Sequence, residues 1–194
     1  MTNADPWDVV LEVLDRPVGR VEVRARGAGG LEAAAMSAGN AFDADIATVR
    51  CLKQRSSGSR RVYFVTFDGS IPARRAELHS FDYVVAVHRD KDGGWRAIGA
   101  AGGAGGLPPR PSPWINLAGG SGGDHFYAGG RIDNAGVDIK RVRLSFADGV
   151  ALEDDAENGV ALFITDGPVS MPAAAELYDS AGERVARNSA FPTD

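Results

Sequence analysis

With 194 residues, 44% of them hydrophobic and 24% charged, the chain is long enough to bury a core without disulfide or metal staples, and whole-chain disorder is excluded. A formal net charge of −5 and a pI near 5.2 disfavour nonspecific attraction to nucleic acid or to an anionic membrane. A single cysteine, Cys51, excludes an intrachain disulfide.

The opening residues Met1–Pro6 are acidic and lack an apolar run, so they do not read as a signal peptide. No stretch approaches the ~18 apolar residues of a membrane helix. The expected compartment is the cytoplasm. Arg outnumbers Lys by 18 to 3 and Gly and Ala are abundant, a skew that points to a GC-rich bacterial genome rather than to a binding function.

Asp5-Pro6 opens a helix, because Asp caps and Pro suits the first helical position. Val9, Val10, Val13 and Leu14 give it one apolar face, and Pro17 and Gly19 end it. Alternation over 18–26 predicts a strand, and Leu31–Met36 a short helix. Strands follow at about 45–53, 61–67 and 83–88. Cys51 lies in the first of these and is expected as a buried structural thiol. The last pairs with Trp95–Ile98 across the turn Asp90-Lys91-Asp92-Gly93-Gly94. That turn resembles a fragment of a calcium loop but lacks the later ligands, so a plain turn explains it.

Residues 99–113 change from Gly/Ala-rich to Pro-rich, a linker composition. Beyond them, Lys140–Phe146 alternates, Asp148-Gly149 and Asn158-Gly159 signal hairpin turns, and Val160–Ile164 is apolar throughout. The last run predicts a central strand covered on both faces. Strands at about 174–178 and 184–188 complete the pattern of a β-sandwich. The expected fold is therefore mostly β, or α+β. A helix-plus-antiparallel-sheet unit over 1–106, of cone-like NTF2 or cystatin order, is followed by a linker and aromatic loop over 107–130. An immunoglobulin-like sandwich over 131–194 closes the chain.

No catalytic set is coherent. Gly119-Gly120-Ser121-Gly122-Gly123 matches the nucleophile-elbow pattern, but no helix opening follows and His125 lies too close in sequence to serve Ser121. The glycine runs at 99–106 and 119–130 lack a phosphate-binding pattern at a helix start. Asp82, His88 and Asp90 share strand parity, yet a metal site needs about three converging ligands, and a solvated sheet face is the favoured account. No metal or cofactor is expected. The segment Trp114…Asp124-His125-Phe126-Tyr127 embeds large aromatics and an Asp–His pair among glycines. It is expected to plug the junction between the halves or to border a ligand site.

The expected function is a non-catalytic binding or regulatory module that recognises a protein partner or a small ligand, with self-association left open. Its candidate residues are Trp114, Asp124, His125, Phe126 and Tyr127. The alternative is a small-molecule enzyme of the isomerase, cyclase or hydratase kind, with Asp82 or His88 as acid/base in a pocket of the first half.

Overall fold

The computed structural model describes residues 5–15, 43–70, 78–104 and 110–191. The strand expected at 18–26, the short helix at 31–36 and residues 105–109 of the linker lie outside these residues. The chain is mostly β with one α-helix among the described residues. No helix among them is long and apolar enough to cross a membrane.

Helix α1 (Pro6–Asp15) begins as its sequence dictates: the Asp5 carboxylate accepts the Trp7 N–H at 2.9 Å, capping the first turn. Its apolar stripe of Val9, Val10 and Leu14 is buried against the first sheet. That sheet holds β1 (Asp43–Ala44), β2 (Arg50–Ser57), β3 (Arg60–Ser70), β4 (Leu78–Arg89) and β5 (Trp95–Ala104). It is antiparallel, ordered β1-β3-β4-β5, with β2 pairing β3 further along the same edge. The Asp90–Gly94 turn joins β4 and β5, its Asp90 carboxylate accepting the Asp92 and Gly94 N–H groups. Cys51, expected as a buried thiol, is exposed: it pairs with Val65 on the edge strand β2, just before a register shift that leaves Leu52 without a partner in the ladder.

The second sheet is built on β8 (His125–Asp133). It pairs β11 (Val160–Thr165) on one side and β6 (Trp114–Ile115) and β7 (Ala118–Gly122) on the other. The segment expected as an aromatic loop is therefore largely strand. The Gly-Gly-Ser-Gly run of β7 lies opposite His125, Phe126, Tyr127 and Ala128 of β8 as ladder backbone, not as a nucleophile elbow. The third sheet, ordered β10-β9-β12-β13, comprises β9 (Ile139–Phe146), β10 (Ala151–Asp155), β12 (Ala173–Asp179) and β13 (Arg184–Ser189). The first sheet draws only on residues 43–104 and the other two only on 114–189.

Alternation along β8 and β11 sorts the core. Tyr127, Val160, Leu162 and Ile164 meet Val62, Phe64, Val84 and Ala86 of the first sheet. Phe126, Ala128, Ala161 and Phe163 meet Val142, Leu144, Phe146, Ala175 and Leu177 of the third. The middle sheet is thus buried on both faces, and the layers run helix, sheet, sheet, sheet. This explains the unbroken apolar run at 160–164. It also corrects the hairpin expected at Asn158-Gly159: there the chain leaves β10 in the third sheet and enters β11 in the middle one. Asn158 (φ 55°) and Gly159 (φ 67°) supply the left-handed backbone for that crossing.

One buried carboxylate ties all three sheets. Asp154 on β10 meets Lys53 at 2.8 Å and Arg55 at 2.6 Å, both on β2, and accepts the Leu162 N–H of β11 at 2.8 Å. Lys53 also bonds Asp155. Burial pushes the Asp154 carboxyl up, against the pull of Lys53, the Leu162 N–H and Arg55. Removing this carboxylate leaves the buried Lys53 ammonium with Asp155 alone and takes away the side-chain acceptor of the Leu162 N–H. Asp154→Ala is expected to cost about 3 kcal/mol in urea unfolding; a loss under about 1 kcal/mol would show that the three-sheet junction does not depend on it.

A second contact is steric. The Tyr127 ring reaches across to β5, where a Cβ built on Gly99 would lie 2.0 Å from its hydroxyl oxygen. Gly99→Ala is expected to destabilise by about 1–3 kcal/mol through overpacking. Adding Tyr127→Phe, which deletes the clashing oxygen, should recover part of that loss in the same melt.

Candidate functional site

The interface between the first and middle sheets is apolar at its centre and polar at both ends. Strand β4 sets this pattern: Asp82, Val84, Ala86 and His88 share one face, pairing with Thr66, Phe64, Val62 and Arg60 of β3. Asp82 and His88 are six residues apart, roughly 20 Å along an extended strand. The two residues of the acid/base alternative therefore occupy opposite ends. Strand β8 runs alongside, with His125 at the His88 end and Arg131 at the Asp82 end.

At the Asp82 end a cleft of about 340 Å³ opens between the sheets. Phe64 and Val84, both buried, provide its apolar lining, and Gly102, Gly103, Gly129 and Gly130 line it without side chains. Asp82 and Arg131 form a bidentate pair: Nε donates to Oδ2 at 2.6 Å and Nη2 to Oδ1 at 3.0 Å. Both oxygens of Asp82 are thereby committed. Trp114 and Arg110 complete the lining with Asn116. The Arg110 guanidinium stacks over the Trp114 ring at 3.6 Å from its centroid. Asp133, outside the lining, accepts the Trp114 indole N–H at 3.2 Å and the Arg110 backbone N–H at 3.3 Å. The Ala135 N–H, with those from Trp114 and Arg110 and the charge of the Arg110 guanidinium, holds the Asp133 carboxyl below its ordinary range, against some cost of desolvation.

At the other end a cleft of about 390 Å³ is lined by Arg60, His88, Asp90, Lys91, Asp124 and His125, among others. Three of its polar groups, Arg60, Asp124 and His125, are joined to one another. Arg60 joins Asp166 at 2.5 Å and Asp124 at 2.7 Å, and Asp124 meets His125 Nδ1 at 2.8 Å. The Ser57 hydroxyl donates to Asp166 at 2.7 Å. His125 stacks on Tyr127, with ring centroids 6.4 Å apart and planes 10° from parallel. No group of three His, Cys, Asp or Glu among the described residues is placed to hold a metal.

The expected site residues thus divide. Trp114 and Asp82 share the first cleft; Asp124, His125 and His88 share the second. Phe126 is core, edge-on to Phe146 at 5.0 Å, and lines neither cleft. Tyr127 is packed between the sheets, where burial pushes its phenol up to about 12. Sequence reasoning missed Arg131, Arg110 and Asn116. The signal for Arg131 is parity: it shares a face with His125, Tyr127 and Gly129 once 125–133 is recognised as strand. Arg110 and Asn116 carry no comparable signal, since the cleft that makes them neighbours is tertiary.

No protein-family model, no curated protein and no solved structure matches this chain.

The second cleft generates a pH test. The hydrogen bond with His125 holds Asp124 below the ordinary carboxylate range, against some desolvation and with help from Arg60. A carboxyl lowered in the fold binds fewer protons there than when unfolded. Its contribution is present above the unfolded-state range and is lost as pH falls through the lowered native value. Asp124→Asn should therefore melt below wild type at neutral pH, with the gap closing in acid. A gap that widens in acid would contradict this linkage.

Proposed function

We propose that this protein binds a small organic molecule, without transforming it, in the cleft bounded by Asp82, Arg131, Trp114 and Phe64. The observation that carries the reading is the combination in one cleft of a buried apolar lining, Phe64 and Val84, with a carboxylate, Asp82, that is already locked to Arg131. Such a lining suits recognition of a ligand with an apolar body. Acid/base chemistry fits it poorly, because both Asp82 oxygens are held by Arg131 and His88 is at the far end of the interface. A protein partner fits less well than a small ligand. Leu78, Val150 and Met171, the large apolar side chains exposed among the described residues, do not line the cleft.

The finer architecture belongs to the same proposal. We read the helix and first sheet as one unit of NTF2-like or cystatin-like order. The middle and third sheets form an immunoglobulin-like sandwich that includes the strands of 114–133. The packing of α1 on one face of the first sheet and the face-to-face core of the other two sheets support this. The cleft would then lie at the junction of two units, a common place for a ligand site.

Gly103 offers the direct test. It lines the cleft, and a Cβ there would meet nothing within 4 Å, so a larger side chain can enter the space without disturbing the fold. Native mass spectrometry of protein purified from its own host is expected to show a retained small molecule. Gly103→Leu should lose that mass while melting within about 1 °C of wild type. A retained mass undisturbed by Gly103→Leu would place the ligand elsewhere.

A further inference from the structure

We propose that the ligand of this cleft is a flat organic monocarboxylate, held at its carboxylate by Arg110 with Asn116 beside it. The inference rests on the small-molecule reading above and names the chemistry of the occupant.

The charge inventory comes first. The cleft is lined by one carboxylate, Asp82, and two guanidinium groups, Arg131 and Arg110. Within a chain of net charge −5, this lining carries an excess of one positive charge. Arg131 is spent, since two of its nitrogens already donate to Asp82. Arg110 is different. Its guanidinium makes a face contact with Trp114 and lies within electrostatic reach of Asp133, but forms no hydrogen bond or ion pair with any described residue. A stacked guanidinium keeps its N–H donors in the plane of the group, so their edge remains available while the face is occupied. Asp133 does not compete through a direct bond: its oxygens accept the backbone N–H groups of Ala135 and Arg110 and the Trp114 indole. The Asn116 side-chain amide, also in the lining, makes no hydrogen bond among the described residues and offers both donors and an acceptor.

The geometry of Arg110 is pre-set. Asp133 fixes the Trp114 ring through its indole N–H and the Arg110 backbone through its amide, so the ring and the guanidinium that stacks on it share one anchor. A planar fork held in this way matches the two oxygens of a carboxylate. A phosphate fits less well, since its second charge would find no second unspent cation and would sit near Asp82. The rest of the cleft selects the body of the ligand. Phe64 and Val84 supply apolar contact, and the glycine walls supply flat backbone with no projecting side chain. That space admits a planar ring system.

The experiment titrates wild-type protein with benzoate, trans-cinnamate and 2-naphthoate, with the matching neutral carboxamides, and with inorganic phosphate. The reporter is the indole N–H resonance of Trp114 in two-dimensional NMR. At least one carboxylate is expected to shift that resonance saturably and to bind about tenfold more tightly than its carboxamide, the difference one charge-assisted contact makes. Arg110→Gln should weaken the carboxylate about tenfold and leave the carboxamide unchanged. Arg110→Lys, which keeps the charge but not the fork, should recover only part of the loss. Because Arg110 is exposed, these variants are expected to fold as wild type does. Carboxamides that bind as tightly as the carboxylates, or carboxylate binding indifferent to Arg110→Gln, would overturn the carboxylate assignment and leave the small-molecule reading standing. Phosphate as the sole binder would do the same. If no probe moves the Trp114 resonance and the host-purified protein retains no small molecule, both readings fall together.

Discussion

The architecture depends on a sheet that has no solvent face. Strands β8 and β11 send alternate side chains into two separate cores, so every residue of Val160–Ile164 is buried. Neither neighbouring sheet can be withdrawn without exposing one of these faces. At ~25 cal/mol per Å² of apolar surface, four large side chains on one face already represent several kcal/mol. The middle sheet is therefore the common wall of both cores. Asp154 adds a polar tie at its border, joining β10, β2 and β11 through one carboxylate. A buried ion pair of this kind is poor evidence of net stabilisation, but it fixes register, because only one alignment leaves no charge unpaired.

Burial of both faces also explains where the clefts fall. The contact between the first and middle sheets is driven by apolar side chains near the centre of β3, β4, β8 and β11. Toward the ends of β4 the residues on that face become polar, Asp82 at one end and His88 at the other, and the seal opens. The two openings differ in how their charges are used. Around His88 and His125, an alternating chain of Ser57, Asp166, Arg60, Asp124 and His125 satisfies itself. Around Asp82, one guanidinium is consumed and another, that of Arg110, lies over an aromatic face without a hydrogen bond or ion pair to any described residue. An unspent guanidinium beside an apolar lining is the feature that separates a proposed ligand cleft from a structural ion-pair network.

Much of the local structure was legible in the residues. The Asp5-Pro6 cap, the alternation of Val142, Leu144 and Phe146, and the Asp90–Gly94 turn each rest on interactions between neighbours in sequence, and each forms as expected. Asn158-Gly159 shows the limit. Its left-handed backbone was readable, yet the chain there changes sheets instead of closing a hairpin, because the apolar β11 finds more burial between two sheets than beside β10. The segment 114–130 shows the same limit more strongly. Its glycines read as a connector, but here they allow close approach: a Cβ on Gly129 would lie 2.7 Å from a Leu162 methyl, and one on Gly119 2.2 Å from the Tyr127 carbonyl oxygen.

By itself the sequence determined that the chain is mostly β, that its N-terminal helix is amphipathic, and that 160–164 must be covered on both sides. Each of these follows from periodicity and turn chemistry, which act over a few residues. Only the tertiary structure decided which sheets cover that strand and that Trp114 and Asp82 share one cleft while His125 and His88 share another. It also decided that Arg131 pairs with Asp82, and that the Arg110 guanidinium lies over Trp114 with no hydrogen bond or ion pair to any described residue. Those outcomes depend on contacts between strands 20 to 100 residues apart. Long-range pairing is set by which faces find apolar partners, a competition among whole sheets that no local pattern encodes.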